Sequence, residues 1–258
     1  MLQNKTTPLY SKLQLLLGQR KKTFCLNMYS ILASFAFFMI SLSSLSILYA
    51  KPLKVYFAGD LFNHKDLIGN IYLADAIKNL SNGKYEFFLA QNKVQQKVTH
   101  KQIKDQDLKG LMESDIALFA FDGTELDSGT VVEFISAKFL DKPSVIYRTD
   151  FRGGSGEENT AKDQDDKSQQ TNKWNLMVSF YPRTRVLYLN AMVEYQKTLS
   201  KVKNNNHTLI ASEYANSIAQ RIIEEIEHVL KEKPLIPVES EERDLINQRF
   251  TTLMGIEN

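Results

Sequence analysis

Asp115–Leu140 reads DIALFAFDGTELDSGTVVEFISAKFL, and its reading decides the fold. Asp115–Phe121 is a near-continuous apolar run, as expected of a strand buried on both faces of a parallel sheet. A polar, glycine-containing turn follows. Thr130–Leu140 then has helical spacing, with Val132, Ile135 and Phe139 one stripe apart. A buried strand, a tight polar turn and a helix are the elementary unit of an α/β sheet. In such sheets ligands bind beyond the carboxyl ends of the strands. The turn therefore concentrates attention on Asp122, Asp127 and the first helical turns up to Glu133.

Working outward, the same alternation repeats. Lys54–Gly59 (KVYFAG) is a short strand-like run ending in glycine, and Asp66–Leu80 is helical with Leu67, Ile71, Ala74, Ile77 and Leu80 on one face. Tyr85–Ala90 reads as a strand, Lys101–Glu113 as a polar helix, Pro143–Arg148 as a strand and Val186–Leu189 as a last strand. Leu209–Leu230 is an amphipathic helix with Ile218, Ile222, Ile226 and Val229 on its stripe. The expectation is a Rossmann-like or flavodoxin-like parallel sheet flanked by helices over residues 51–235. Residues 153–173 are almost devoid of apolar side chains and read as a flexible insertion, and residues 236–258 read as a tail with weak helical periodicity.

The N-terminal fifty residues differ. No charged residue occurs from Thr23 to Ala50, and Arg20, Lys21 and Lys22 precede that run. A basic flank before an uncharged apolar stretch is the pattern of a signal peptide or a membrane anchor. The run is long enough to span a bilayer, which takes about 20 residues. The expectation is a hydrophobic helix that exports the domain to the periplasm or anchors it facing outward, with cleavage after Ala50 or retention both open. A start site further downstream would make the protein cytoplasmic.

Composition excludes several function classes. With 32 basic and 30 acidic residues the net charge is +2, too balanced for an electrostatic nucleic-acid binder. One cysteine, Cys25, and four histidines without ligand spacing predict no metal site. No GxGxxG follows a strand and no GxxxxGK[ST] occurs, so neither a dinucleotide nor a P-loop cofactor is expected.

VYFAGDLF (55–62), DQDLKGLMESDIALFAFDGTELDSGTVVEFISA (105–137), KPSVIYRTDFR (142–152) and NLM (175–177), in that order, resemble the nucleoside 2-deoxyribosyltransferase family. The resemblance spans about Lys54 to Leu199 without the polar insertion. It implies a Rossmann-like sheet and an enzyme without cofactor that acts on a deoxynucleoside and a nucleobase. It implies Glu133 as nucleophile, Asp127 as ligand of the sugar hydroxyls, and Asp107 as acid/base toward the base, with Asp105 the lesser choice. It implies Tyr56 as the residue orienting Glu133. Gly59, Asp60, Phe62 and Gly129 fall in the substrate-binding segments, and Asn175 matches an asparagine donated to a neighbouring subunit, which implies a homo-oligomer with shared sites.

The chemistry fits these residue types. Breaking an N-glycosidic bond builds positive charge on the sugar, which one carboxylate can stabilise or trap as an ester while a second carboxyl group protonates the departing base. Two plain alternatives stand beside this. Thr130-Val131-Val132-Glu133 also has the form of a helix capping box, and Asn175 that of an N-cap. Three functions are therefore open: transfer of deoxyribose between bases, hydrolysis of a nucleoside or its 5′-monophosphate, and non-catalytic nucleoside binding at a membrane.

Overall fold

A computed structural model of the chain describes residues 51–93, 96–150, 174–203 and 206–257. The expected N-terminal hydrophobic helix and the 153–173 insertion lie outside the described residues. Pro52–Asn258 cluster as one compact unit.

Five parallel strands, β1 (Leu53–Ala58), β2 (Tyr85–Leu89), β3 (Ile116–Ala120), β4 (Ser144–Arg148) and β5 (Thr184–Tyr188), lie in the order β2-β1-β3-β4-β5. Six α-helices among the described residues cover the sheet: α1 (His64–Leu80), α2 (His100–Glu113), α3 (Ser128–Phe139), α4 (Ala191–Lys201), α5 (His207–Val229) and α6 (Glu241–Leu253). This is the flavodoxin-like strand order. The chain leaves β1 toward one edge and β3 toward the other, so the loops after these two adjacent strands diverge and open a crevice at their carboxyl ends.

Successive residues of a strand face opposite sides of the sheet, so β1 sends Val55 and Phe57 to one face and Tyr56 and Ala58 to the other. The first face packs against Leu73, Ala74 and Ile77 of α1 and Ile218, Ile222, Ile226 and Val229 of α5. The second packs against Leu108 and Leu111 of α2, Phe134 and Ala137 of α3, and Phe250 of α6. β3 is buried on both faces from Ile116 to Phe119, which is why its sequence is an unbroken apolar run.

Several expectations are corrected. Val132 and Phe139 of α3 are 51% and 71% exposed, and Phe134 and Ala137 point inward instead. This helix carries apolar residues on two sides. The inward one is chosen by the ring lattice in which Phe134 meets Phe119, Phe121 and Tyr181 edge-on, at centroid distances of 5.2, 5.7 and 5.4 Å. On α1, Ile71 and Leu80 are exposed, and Leu73 and Ala76 take their expected places. α4 had no counterpart in the sequence reading; Asn190 caps it, and Tyr195 meets Tyr214 of α5 edge-on at 5.8 Å.

The C-terminal segment is more than a tail. Phe250 and Ile256 enter the second core, and the backbone amide of Glu257 donates to Asp105 at 3.2 Å. Lys101 and Lys104 of α2 donate to the carbonyls of Gly255 and Met254, at 3.0 and 2.7 Å. Asp141 receives the amides of Leu235 and Ile236 and the guanidinium of Arg243. Among the described residues no helix is long and apolar enough to cross a membrane.

Candidate active site

The crevice begins where β1 and β3 end. A Cβ on Gly59 would lie 2.8 Å from the Cβ of Ala120, so only glycine lets the two strand ends approach this closely. The loop after β1 is then tied down by Asn70, whose amide donates to the Asp60 carbonyl and to Gln91, both at 3.0 Å. Gln91 in turn donates to the Leu67 carbonyl at 2.9 Å.

Asp127 N-caps α3: its Oδ2 accepts from the Thr130 amide at 2.7 Å and the Thr130 hydroxyl at 3.0 Å. The capping-box alternative for Thr130 and Glu133 is therefore not what forms. The helix starts earlier, at Ser128, and Glu133 is free of any capping duty. Its Oε1 instead accepts from the Tyr56 hydroxyl at 2.6 Å, across a gap of 77 residues in sequence. Burial pushes the Glu133 carboxyl up to about 7; the Tyr56 hydrogen bond opposes this, and Asp107 and Asp127 add to it. Burial and the same carboxylate raise the Tyr56 hydroxyl well above its ordinary value, so it stays a donor.

Asp107 and Asp105 lie on α2, whose start is fixed by a capping box of Thr99 and Gln102. Their environments differ sharply. Asp105 is paired with Lys101 at 2.8 Å and Lys104 at 3.2 Å, and the Lys101 hydrogen bond leads in holding its carboxyl down at about 2. Asp107 is pushed up to about 6 by burial, with Lys93 pulling the other way. A carboxyl that holds its proton near neutrality suits a general acid; one locked as an anion between two ammonium groups does not.

Tyr56 is itself held from behind. Its ring stacks on Phe88 with centroids 5.3 Å apart and planes 19° off parallel. Phe88 lies so close to α2 that a Cβ at Gly110 would come within 2.4 Å of its ring. Lys93 sits 4.5 Å from the Phe88 centroid. The sequence offered one signal for this stack, a glycine inside a helix, which often marks close approach of another chain segment.

A second support joins the loops after β3 and β4. Asp122 accepts from the Thr149 amide, the Thr149 hydroxyl and the Asp150 amide. Arg148 reciprocates by donating to the carbonyls of Phe121 and Gly123, at 2.8 and 2.7 Å. The loop that delivers Asp127 is thus clamped from its neighbour.

Other predicted residues stand at greater remove. Phe62 is 76% exposed on the loop after β1, whereas Phe57 is core. Asp60 is exposed, and burial, Asp127, Asp66 and Asp122 raise its carboxyl. A Cβ on Gly129 would lie 3.0 Å from Asp127 Oδ2, so glycine there leaves room for that carboxylate to fold back onto Thr130. Asn175 caps the 3₁₀ turn Leu176–Val178 through the Met177 amide at 2.9 Å, is itself exposed, and has no hydrogen bond to Tyr56, Asp107 or Glu133. Arg183 and Arg185 are structural, paired with Asp141 and Glu225. Among the described residues no group of three or more His, Cys, Asp or Glu side chains is placed to hold a metal ion.

Residues 55–178 match the family model of nucleoside 2-deoxyribosyltransferase. No curated protein matches the chain. Similar solved structures include a conserved protein from Enterococcus faecalis V583, 26% identical, covering 54% of this chain and 92% of that one at a TM-score of 0.42. A 2-desoxiribosyltransferase from Leishmania mexicana is 18% identical, covering 50% and 87%, TM-score 0.36. The CMP N-glycosidase of Clostridium botulinum is 15% identical, covering 57% and 98%, TM-score 0.35. The segment 55–178 of this chain is thus similar to the nucleoside 2-deoxyribosyltransferases, a family of enzymes that act on N-glycosidic bonds.

Proposed function

We propose that the protein transfers 2-deoxyribose from one nucleobase to another through a glycosyl ester on Glu133. The observation that carries this is the pairing of Glu133 with the Tyr56 hydroxyl at 2.6 Å, with Asp107 close enough to raise both. Tyr56 occupies Oε1 and leaves Oε2 to attack the sugar C1′. The C1′–O bond forms as the C1′–N bond breaks, and the Asp107 proton goes to the departing base. A second base then attacks C1′ from the vacated side and returns a proton to Asp107, with Glu133 as leaving group. Two displacements retain configuration, and no cofactor enters the balance. Asp127 is the proposed ligand of the sugar hydroxyls, with Gly59, Asp60, Phe62 and Gly129 forming the rest of the substrate-binding wall.

The test incubates the protein with a deoxynucleoside and a different free base and separates the products by chromatography. A new nucleoside is the expected outcome. Free deoxyribose without a new nucleoside would make the protein a hydrolase, and no turnover would leave only nucleoside binding.

Oligomerisation is part of the same proposal. Val132 and Phe139 on α3, with Leu176, Met177 and Phe180 beside the 3₁₀ turn, are all more than half exposed, a concentration of large apolar side chains that suits an interface between copies. Asn175 lies in that segment, and its amide nitrogen would reach a neighbour's sugar site. We expect analytical ultracentrifugation to give a dimer or larger species, and Asn175→Ala to lower kcat/KM by about 10–100-fold, or about 1.4–2.8 kcal/mol. A fully active monomer would remove this part.

The uncharged run 23–50 supports export of the domain. A C-terminal fusion to a reporter active only in the periplasm is expected to be active, and a cytoplasm-only reporter dark. The opposite pattern places the protein in the cytoplasm.

A further inference from the structure

The face of the sheet opposite Tyr56 carries a cavity of about 560 Å³ between α1, α5 and the ends of β3 and β4. We propose that this crevice is a second small-molecule site, which takes an organic amine with an aromatic or aliphatic body. Asp60 lies at the junction of this crevice with the substrate-binding wall proposed above, but the proposal does not depend on the reaction assigned to Glu133.

The cavity is shaped by small residues. Gly69 lies inside α1, where glycine costs about 1 kcal/mol relative to alanine. A Cβ there would meet nothing within 4 Å, so no close packing demands the glycine and its effect is to leave space. Ala211 and Ala215 of α5 line the facing wall. The remaining walls are apolar or aromatic, from Ile68, Tyr72, Tyr214 and Ile218, and hold the body of a ligand.

The inner end is polar and unsatisfied. Tyr147 is 5% exposed, lines the cavity, and its hydroxyl has no hydrogen-bond partner among the described residues. The hydroxyl of Tyr214 and the carboxylate of Asp60 are likewise without one. None of these oxygens is committed to a partner among the described residues, so a ligand that supplies donors is favoured there. Three carboxylates fix the sign of its charge. Asp60, Asp66 and Asp122 all border the cavity, and burial followed by Asp127, Asp66 and Asp122 raises the Asp60 carboxyl. Asp122 is already engaged by Thr149 and Asp150, and Asp66 by Asn63, which leaves Asp60 to receive an ammonium. His64 and Lys65 also border the cavity. Both are exposed and leave the inner end acidic. Tyrosine rings add cation–π attraction.

The test is a ligand-observed NMR titration of the full chain at pH 7 with benzylamine, neutral benzyl alcohol and anionic benzoate. Benzylamine is expected to bind saturably and at least about tenfold more tightly than benzyl alcohol, about 1.4 kcal/mol, with benzoate not binding. Gly69→Leu fills the cavity and abolishes the signal, with nucleoside turnover held within about twofold and the fold confirmed by circular dichroism. If Gly69→Leu fails to fold, Ala211→Phe fills the cavity from the other wall. Benzylamine binding that survives the filled cavity, or that benzoate equals, would overturn the proposal.

Discussion

Glu133→Gln is expected to abolish turnover and, above pH 7, to raise the melting temperature. The activity loss follows from the proposed role of Glu133 as covalent nucleophile: at least about 10³-fold in kcat, or about 4 kcal/mol. The stability gain follows from burial. The Glu133 carboxyl sits at about 7 in the fold against an ordinary value of 4.5. A raised carboxyl contributes its full stability below the unfolded value and loses it as pH rises through the folded one. Above pH 7 the wild-type fold therefore carries the cost of a poorly solvated carboxylate. Discounting the shift for partial exposure and for the weaker Tyr56 hydrogen bond of an amide leaves about 1–2 kcal/mol, or about 3–6 °C for a domain of this size. Differential scanning calorimetry at pH 8 and pH 4.5 checks this, with the gain present at the first and absent at the second. A glutamate serving only the architecture gives the opposite, a variant that melts earlier at both pH values and keeps its rate.

The second large effect is in pH dependence. The proposed mechanism needs Glu133 ionised and Asp107 protonated, yet burial holds Glu133 at about 7 and Asp107 at about 6. The nucleophile thus binds its proton more tightly than the acid does. kcat/KM should trace a bell with limbs near 6 and 7, and at its top near pH 6.5 only about 6% of free enzyme holds the productive arrangement. Asp107→Asn removes one ionisation. The descending alkaline limb disappears, the profile rises once with a midpoint just below 7, and the plateau lies about 10²–10⁴-fold under wild type. Nucleosides whose base departs without protonation lose least, which separates an acid role from lost binding. A flat wild-type profile from pH 5 to 8, or an alkaline limb that survives in Asp107→Asn, would remove Asp107 from the acid role.

What the sequence by itself determined is what short-range pattern can carry. A near-continuous apolar run at 115–121 reads as a strand covered on both sides, and strand-like runs alternating with helical periodicity specify a parallel sheet. The positions just after its strands follow from that alone, and with them Asp127 and the helical turn that carries Glu133; Tyr56 and the roles of all three rest on the resemblance of short segments to a known family. The tertiary structure decided everything that depends on two segments meeting. The inward face of α3 was ambiguous because both of its sides are apolar; the aromatic rings of β3 chose Phe134. Asp105 and Asp107 are alike in sequence. Both are at least partly buried; only the approach of Lys101, Lys104 and Glu257 to Asp105, with no such ion pair at Asp107 among the described residues, gives them opposite proton affinities. The Tyr56–Glu133 hydrogen bond spans 77 residues, and the Phe88 stack behind it rests on the absence of a side chain at Gly110. The crevice beside Gly69 is likewise a matter of space, which arises only once α1 and α5 pack on the sheet. Periodicity reports which residues seek burial; distance, desolvation and empty volume exist only after the chain has closed on itself.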